Sequence, residues 1–178
     1  MIMKKSIICL YWIAMLVSCE SDPDMFLYVQ NFSGETILAY PAIGGGCTPY
    51  AHPDTILPEK LILWSLGTND GTIHPGYNKI DSVTSMYILP YTKKVIWYGD
   101  NENQVYDDLR HDTLSLFIFS RDTLQCYGYD NVRDNYRILV RYDLSIDECK
   151  QLNYVFPYPP QPFMRNMKMY PPYSRFIQ

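Results

Sequence analysis

From Thr113 the chain reads TLSLFIF, then a polar stretch, then RILVRYDL and SIDECKQL. This run constrains the fold more than any other. TLSLFIF is too short for a buried helix and is rich in strand-forming residues, which predicts a buried strand over Thr113–Phe119. RILVRYDL predicts a second strand with Ile138, Val140, Tyr142 and Leu144 on one face. Between the two, Asp122 is placed to cap a helix from about Thr123 to Asn135. Leu124, Tyr127, Val132 and Tyr136 lie near helical spacing, and Gly128 weakens the pattern. Ser145-Ile146-Asp147-Glu148 is a capping box, in which the Ser hydroxyl accepts the N3 amide while Glu148 reaches back. Leu144 and Cys149 stand where a hydrophobic staple places them, and the helix is expected to end near Leu152. Two strands with one helix between them and one after them predict a β-rich α+β fold. Its core is expected to be an antiparallel sheet or a sandwich, with two short helices near the C-terminus.

The rest of the chain adds strands. MFLYVQNFSGETILAY, residues 25–40, reads as a β-hairpin with Phe26, Tyr28 and Gln30 on one face and Leu27 and Val29 on the other. Ser33-Gly34 is its turn signal. Asn31-Phe32-Ser33 matches a glycosylation pattern but is read as turn chemistry. Residues 41–60, with Gly44-Gly45-Gly46 and four prolines, read as loop. Strands are expected at Lys60–Leu66, Thr84–Pro90 and Lys93–Gly99, the last two joined by a turn at Tyr91-Thr92. Near the end, YVFPY is a strand whose Pro157 and nearby Pro159 remove ladder donors, which predicts a sheet edge. The last residues, 161–178, have no clear period and read as a proline-rich tail, parts of it in polyproline II.

Composition supports a folded domain. Of 178 residues, 47% are hydrophobic and 19% charged, without the high charge and low hydrophobicity of a disordered chain. Seventeen tyrosines favour strands and half-wet surfaces, and thirteen prolines favour loops and edges. The formal charge is −4. Without a leader holding Lys4 and Lys5, 13 basic residues face 19 acidic ones, near −6. No basic stripe stands out, so nucleic acid is not an expected partner.

The first residues read as an address. Lys4 and Lys5 form a positive start, and Ile7–Val17 is an uncharged apolar run. That run is shorter than the roughly 20 residues a bilayer span needs, and it fits a signal peptide over residues 1–18. Leu16-Val17-Ser18-Cys19 resembles a bacterial lipobox. The resemblance implies lipid attachment at the Cys19 thiol and cleavage just before it, with two or three acyl chains giving a stable membrane anchor. Residues 19–24 then form an acidic tether with Glu20, Asp22 and Asp24, and residues 25–160 a single β-rich domain. A short acidic stretch after the cysteine resembles the surface-export signal of bacteroidete lipoproteins. It implies the outer membrane, with surface display favoured over a periplasmic face.

The segment Thr113–Pro160 carries a second resemblance. Leu114–Phe119, Asp122–Leu124, Tyr127, Val132-Arg133, Tyr136, Ile138-Leu139, Arg141–Ser145, Leu152-Asn153 and Tyr158–Pro160 together resemble a segment of small uncharacterised bacteroidete lipoproteins. HPDTILP, His52–Pro58, is similar to an upstream loop of those proteins, with His52 where they carry Tyr. The resemblance implies a secreted lipoprotein module and transfers no catalytic residue.

No residue pattern commits the chain to a reaction. Gly44-Gly45-Gly46-Cys47 lacks the Gly-Lys-Ser/Thr of a phosphate loop. Cys47 with His52 or His74 would be a nucleophile and base, but their spacing favours a small buried thiol. Asp107, Asp108, His111 and Asp112 cluster without a recognised metal-ligand spacing and read as a solvated loop. No Cys-x-x-Cys occurs, so neither a metal site nor a cofactor is expected. Cys47, Cys126 and Cys149 permit one disulfide with one thiol over. Trp64, Trp97, Tyr98 and the tyrosines supply rings for a sugar or protein platform, although strands turn half of them inward. The expectation is a lipid-anchored envelope protein that binds a glycan or an envelope protein without catalysis. A hydrolase with a site assembled from distant residues, and a structural subunit of a surface assembly, stay open as alternatives.

Overall fold

The computed structural model describes residues 25–42, 57, 87–99 and 113–177. Cys19, the leader expected over residues 1–18, the tether expected over residues 19–24, Cys47, His52, His74, Trp64, the strand expected at Lys60–Leu66 and the Asp107–Asp112 cluster lie outside the described residues.

Among the described residues, eight strands form two sheets: β1 Met25–Asn31, β2 Ile37–Ala42, β3 Tyr87–Ile88, β4 Lys93–Gly99, β5 Thr113–Ser120, β6 Val140–Ser145, β7 Val155–Tyr158 and β8 Met169–Tyr170. The three-stranded sheet has the order β4-β1-β7, and the five-stranded sheet β3-β2-β5-β6-β8. All pairings are antiparallel except β1 with β7. Both sheets feed one core. Leu27, Val29 and Phe156 come from the smaller sheet, and Ile37, Leu116 and Tyr142 from the larger. Helix α1, Arg121–Asp134, covers the other face of the larger sheet, where Leu38, Phe117, Phe119, Leu124 and Val132 form a second cluster. Leu57 joins that cluster. The fold is thus a β-rich α+β sandwich with a helix laid on one side.

Residues 25–40 are not a hairpin. β1 belongs to the small sheet and β2 to the large one, so the turn between them is a corner. Asn31 accounts for the difference. Its Oδ1 accepts from Ser33 N at 2.9 Å and Ser33 Oγ at 2.7 Å, the turn chemistry expected of Asn-x-Ser. Its Nδ2 donates to Glu35 O at 2.8 Å and across the corner to Ile88 O at 3.2 Å and Leu89 O at 3.1 Å. The turn from β3 to β4 makes the same crossing in reverse. One buried amide therefore ties two corners together.

The C-terminal half follows its local signals closely. The capping box at Ser145 forms in full and starts α2, Ile146–Gln151, which ends at Leu152. Leu144 and Cys149 are both buried in the main core. β7 lies at an edge, as its prolines require. Three details differ. Ser120, not Asp122, caps α1, because β5 runs through Ser120 and brings its hydroxyl to Thr123 N at 3.5 Å. Gly128 does more than weaken α1: at φ 72° and ψ 160° it breaks the helix into two pieces. Ile138 precedes β6 and packs on the second cluster, while Val140, Tyr142 and Leu144 face the main core.

The stretch from Gln161 onward also departs from the expected tail. Met164, Met167 and Met169 are buried in the main core, and β8 pairs with β6. Two short 3-10 turns, Pro162–Met164 and Tyr173–Arg175, set these side chains inward without a regular period. Among the described residues no helix is long and apolar enough to cross a membrane.

Candidate functional site

The outer face of the small sheet carries a strip of aromatic rings. β1 alternates as its sequence predicts, with Leu27 and Val29 in the core and Phe26, Tyr28 and Gln30 half-exposed. On β4, Trp97 opposes Leu27 and is buried, whereas Tyr98 opposes Phe26 and is 40% exposed. The pairing shifts at Leu27/Tyr28, where Trp97 is followed across the ladder by Val95 and Ile96 is the extra residue of a bulge. Ile96 and Trp97 are both buried. The bulge resets the alternation, so Lys93 comes to the same face as Tyr28.

The resulting geometry is close. The Phe26 ring centroid lies 5.1 Å from that of Tyr98 and 6.0 Å from that of Tyr28, with the planes tilted by 45° and 40°. Lys93 Nζ stands 4.1 Å from the centre of the Tyr28 ring, a cation–π contact. The next lysine is used differently: Lys94 Nζ donates to Tyr87 O at 3.1 Å, bridging toward the large sheet, and burial lowers its pKa. The face thus offers three rings, a cation and the Gln30 amide, on two strands that a ladder holds in register. Amphipathic rings of this kind bind sugars or partner proteins with little entropy loss, because they have few rotatable bonds.

The buried polar groups do other work. On the helix-covered face of the large sheet, Arg141 Nε lies 2.8 Å from Asp143 Oδ1, and Ser115 Oγ donates to the same oxygen at 2.7 Å. Burial opposes the charge of Arg141, but the hydrogen bonds to Asp143 and Tyr136 hold its pKa above the ordinary arginine value. Tyr142 OH donates to Pro157 O at 2.7 Å, joining the large sheet to β7 through the core. Burial raises the Tyr142 pKa well above its usual value, with the Tyr158 charge a smaller cause. Tyr158 OH donates to Glu35 Oε1 at 3.0 Å, and burial followed by the Glu35 charge raises its pKa. The Arg141–Asp143–Ser115 set ties β6 to β5 within the large sheet, and the Tyr142 hydroxyl ties that sheet to β7.

Of the residues singled out from sequence, Tyr98 lies on the strip and Trp97 lies in the core. Cys126 is an exposed free thiol and Cys149 a buried one. Phe26 is not among the rings that the sequence reading offered, and Tyr28 enters it only with the tyrosines as a group. Their alternation put them on an outward face, but only the β1–β4 register brings Tyr98 beside them. Among the described residues, no three His, Cys, Asp or Glu side chains gather as a metal site would require. Compared with protein-family models, curated proteins and solved structures, the chain has no match.

Proposed function

We propose that this protein is a lipid-anchored binding module of the bacterial cell envelope. Its ligand is a glycan or an envelope protein, and it carries out no reaction of its own. The observation that carries the reading is the Phe26–Tyr28–Tyr98 strip, three rings left partly open on a sheet whose other face is fully packed. A large aromatic kept at the surface forgoes the roughly 1.5–3 kcal/mol that burial of a large apolar side chain supplies, which is reasonable where the ring meets a ligand. The lipobox sequence Leu16–Cys19 and the acids after it support an outer-membrane anchor at Cys19 with the module on the cell surface.

Two measurements test this. Cross-linked pull-down from native membranes should recover a glycan or a partner protein with the wild-type chain, and much less with Tyr28→Ala/Tyr98→Ala. Equal recovery by the two chains sinks the strip as the binding surface. Cys19→Ala should abolish fatty-acid labelling and block cleavage after Ser18, and unchanged labelling removes the anchor.

A further inference from the structure

We infer that the C-terminal segment forms a second ligand site, a groove that takes an acidic saccharide. The inference deepens the binding-module reading and rests on it for the choice of a sugar, but it uses none of the strip residues.

The groove has a volume of about 540 Å³ and is open to solvent. Small-ligand sites fall in the range of roughly 300–1,000 Å³, so it is large enough for a short stretch of a sugar chain. Its walls come from the two 3-10 turns. Pro162, Arg165 and Asn166 form one side, and Pro172, Tyr173 and Ser174 the other. Both walls are fixed from below. Met164 is fully buried and Met167 nearly so, while Tyr173 and Phe176 pack against the main core. Backbone hydrogen bonds close the turns, with Met164 N donating to Gln161 O at 2.8 Å and Arg175 N to Pro172 O at 2.9 Å. The groove is therefore built before a ligand arrives, which reduces the ordering cost of binding.

Its chemistry is specific. The side chains of Arg165, Asn166 and Ser174 have no hydrogen-bond or ion-pair partner among the described residues. They put a guanidinium, an amide and a hydroxyl around one opening. A guanidinium matches a carboxylate or sulfate in bidentate geometry, and an amide and a hydroxyl match sugar hydroxyls. Pro162, Pro172 and the Tyr173 ring supply the flat apolar surface that the C–H face of a pyranose needs.

The charge pattern points the same way. From Cys149 to Gln178 the chain has Lys150, Arg165, Lys168 and Arg175 and no Asp or Glu. The whole chain is −4, so the remainder carries −8. A basic segment on an otherwise acidic protein directs an anion to this end and repels it elsewhere. One arginine in the groove is too little for a nucleic acid backbone, which is gripped through many phosphates. A polymer with one carboxylate per ring, read by one guanidinium and two neutral hydrogen-bonding groups, fits better.

The test is calorimetric titration of the full mature chain with three probes: a galacturonate tetrasaccharide, a neutral tetrasaccharide and inorganic phosphate. The acidic sugar should bind, and its affinity should fall as salt rises. Arg165→Gln should weaken it about tenfold or more, and Arg165→Lys less. Arg165 is exposed, so neither change threatens the fold. Tyr28→Ala/Tyr98→Ala should leave this affinity unchanged. Equal affinity for the neutral sugar, equal affinity for phosphate, or no binding of the acidic sugar overturns the proposal. Loss of binding in the Tyr28/Tyr98 variant with none in Arg165→Gln also overturns it, and leaves the strip reading standing.

Discussion

Arg141 and Asp143 stand two residues apart on β6, point to the same face, and meet at 2.8 Å with essentially no exposure to water. A pair this deep has given up most of its hydration, and its mutual attraction only offsets that loss. Removing one partner is another matter. Asp143→Ala leaves a buried guanidinium without its carboxylate and frees Ser115 Oγ. It should cost about 3–5 kcal/mol. Replacing both ends with apolar residues, Arg141→Met/Asp143→Leu, should cost far less than the single change. Urea denaturation of the three chains checks this, and an additive double variant would show that the two side chains do not act as a unit.

The amide of Asn31 has a comparable position between two corners. Asn31→Ala leaves the buried carbonyl of Ile88 and the carbonyls of Glu35 and Leu89 without this donor. A loss of about 2–3 kcal/mol is expected. Asn31→Asp should be worse, since a carboxylate oxygen would replace the donor facing those carbonyl oxygens. The unfolding midpoint of each variant in urea reports it.

Gly128 sits at φ 72° with nothing within 4 Å of the position a Cβ would take. A larger residue is opposed there by backbone conformation alone. Gly128→Ala should destabilise by about 1–3 kcal/mol. A neutral result would mean that the two pieces of α1 can join into one regular helix, which an increase in helical circular dichroism would reveal.

The thiol of Cys149 is pushed up to about 12, by burial first and by the charge of Glu148 second. In the unfolded chain it ionises near about 8.5. The folded chain keeps the proton that the unfolded chain releases. Stability is therefore complete below that value and falls as pH rises from about 8.5 toward 12, at up to about 1.4 kcal/mol per pH unit. Tyr142 and Tyr158, raised by burial as well, add to the loss at higher pH. Cys149→Ala should flatten the decline between pH 8.5 and 10 in denaturation experiments. At neutral pH a thiol reagent should modify the exposed Cys126 readily and Cys149 only on unfolding, as peptide mapping would show.

Much of this fold is written in short-range signals. The capping box at Ser145, the alternation along β1 and the edge position of β7 each depend on neighbours a few residues away, and each is legible. Sheet membership is not. Ser33-Gly34 signals a turn, but whether the chain returns along β1 or crosses to the other sheet depends on Asn31 reaching Ile88 and Leu89. The strip is hidden for the same reason. Phe26 and Tyr98 meet only through the β1–β4 register, and the bulge at Ile96 that turns Lys93 outward has no local mark. The methionines at 164, 167 and 169 follow no single period because turns and a two-residue strand place them.

The parallel pairing of β1 with β7 sets an order of events. Residue 28 meets residue 155, so β1 cannot complete its ladder until residues 155–158 have been made. At about 5–20 residues per second, synthesis leaves that strand waiting on the order of ten seconds after it is made. Its other neighbour, β4, is complete by residue 99, so β1 can pair on that side first, while β2 joins the opposite sheet. The β7 side of β1 thus stays open until residues 155–158 have been made, and the closing of the small sheet on that side is a late, long-range step in folding.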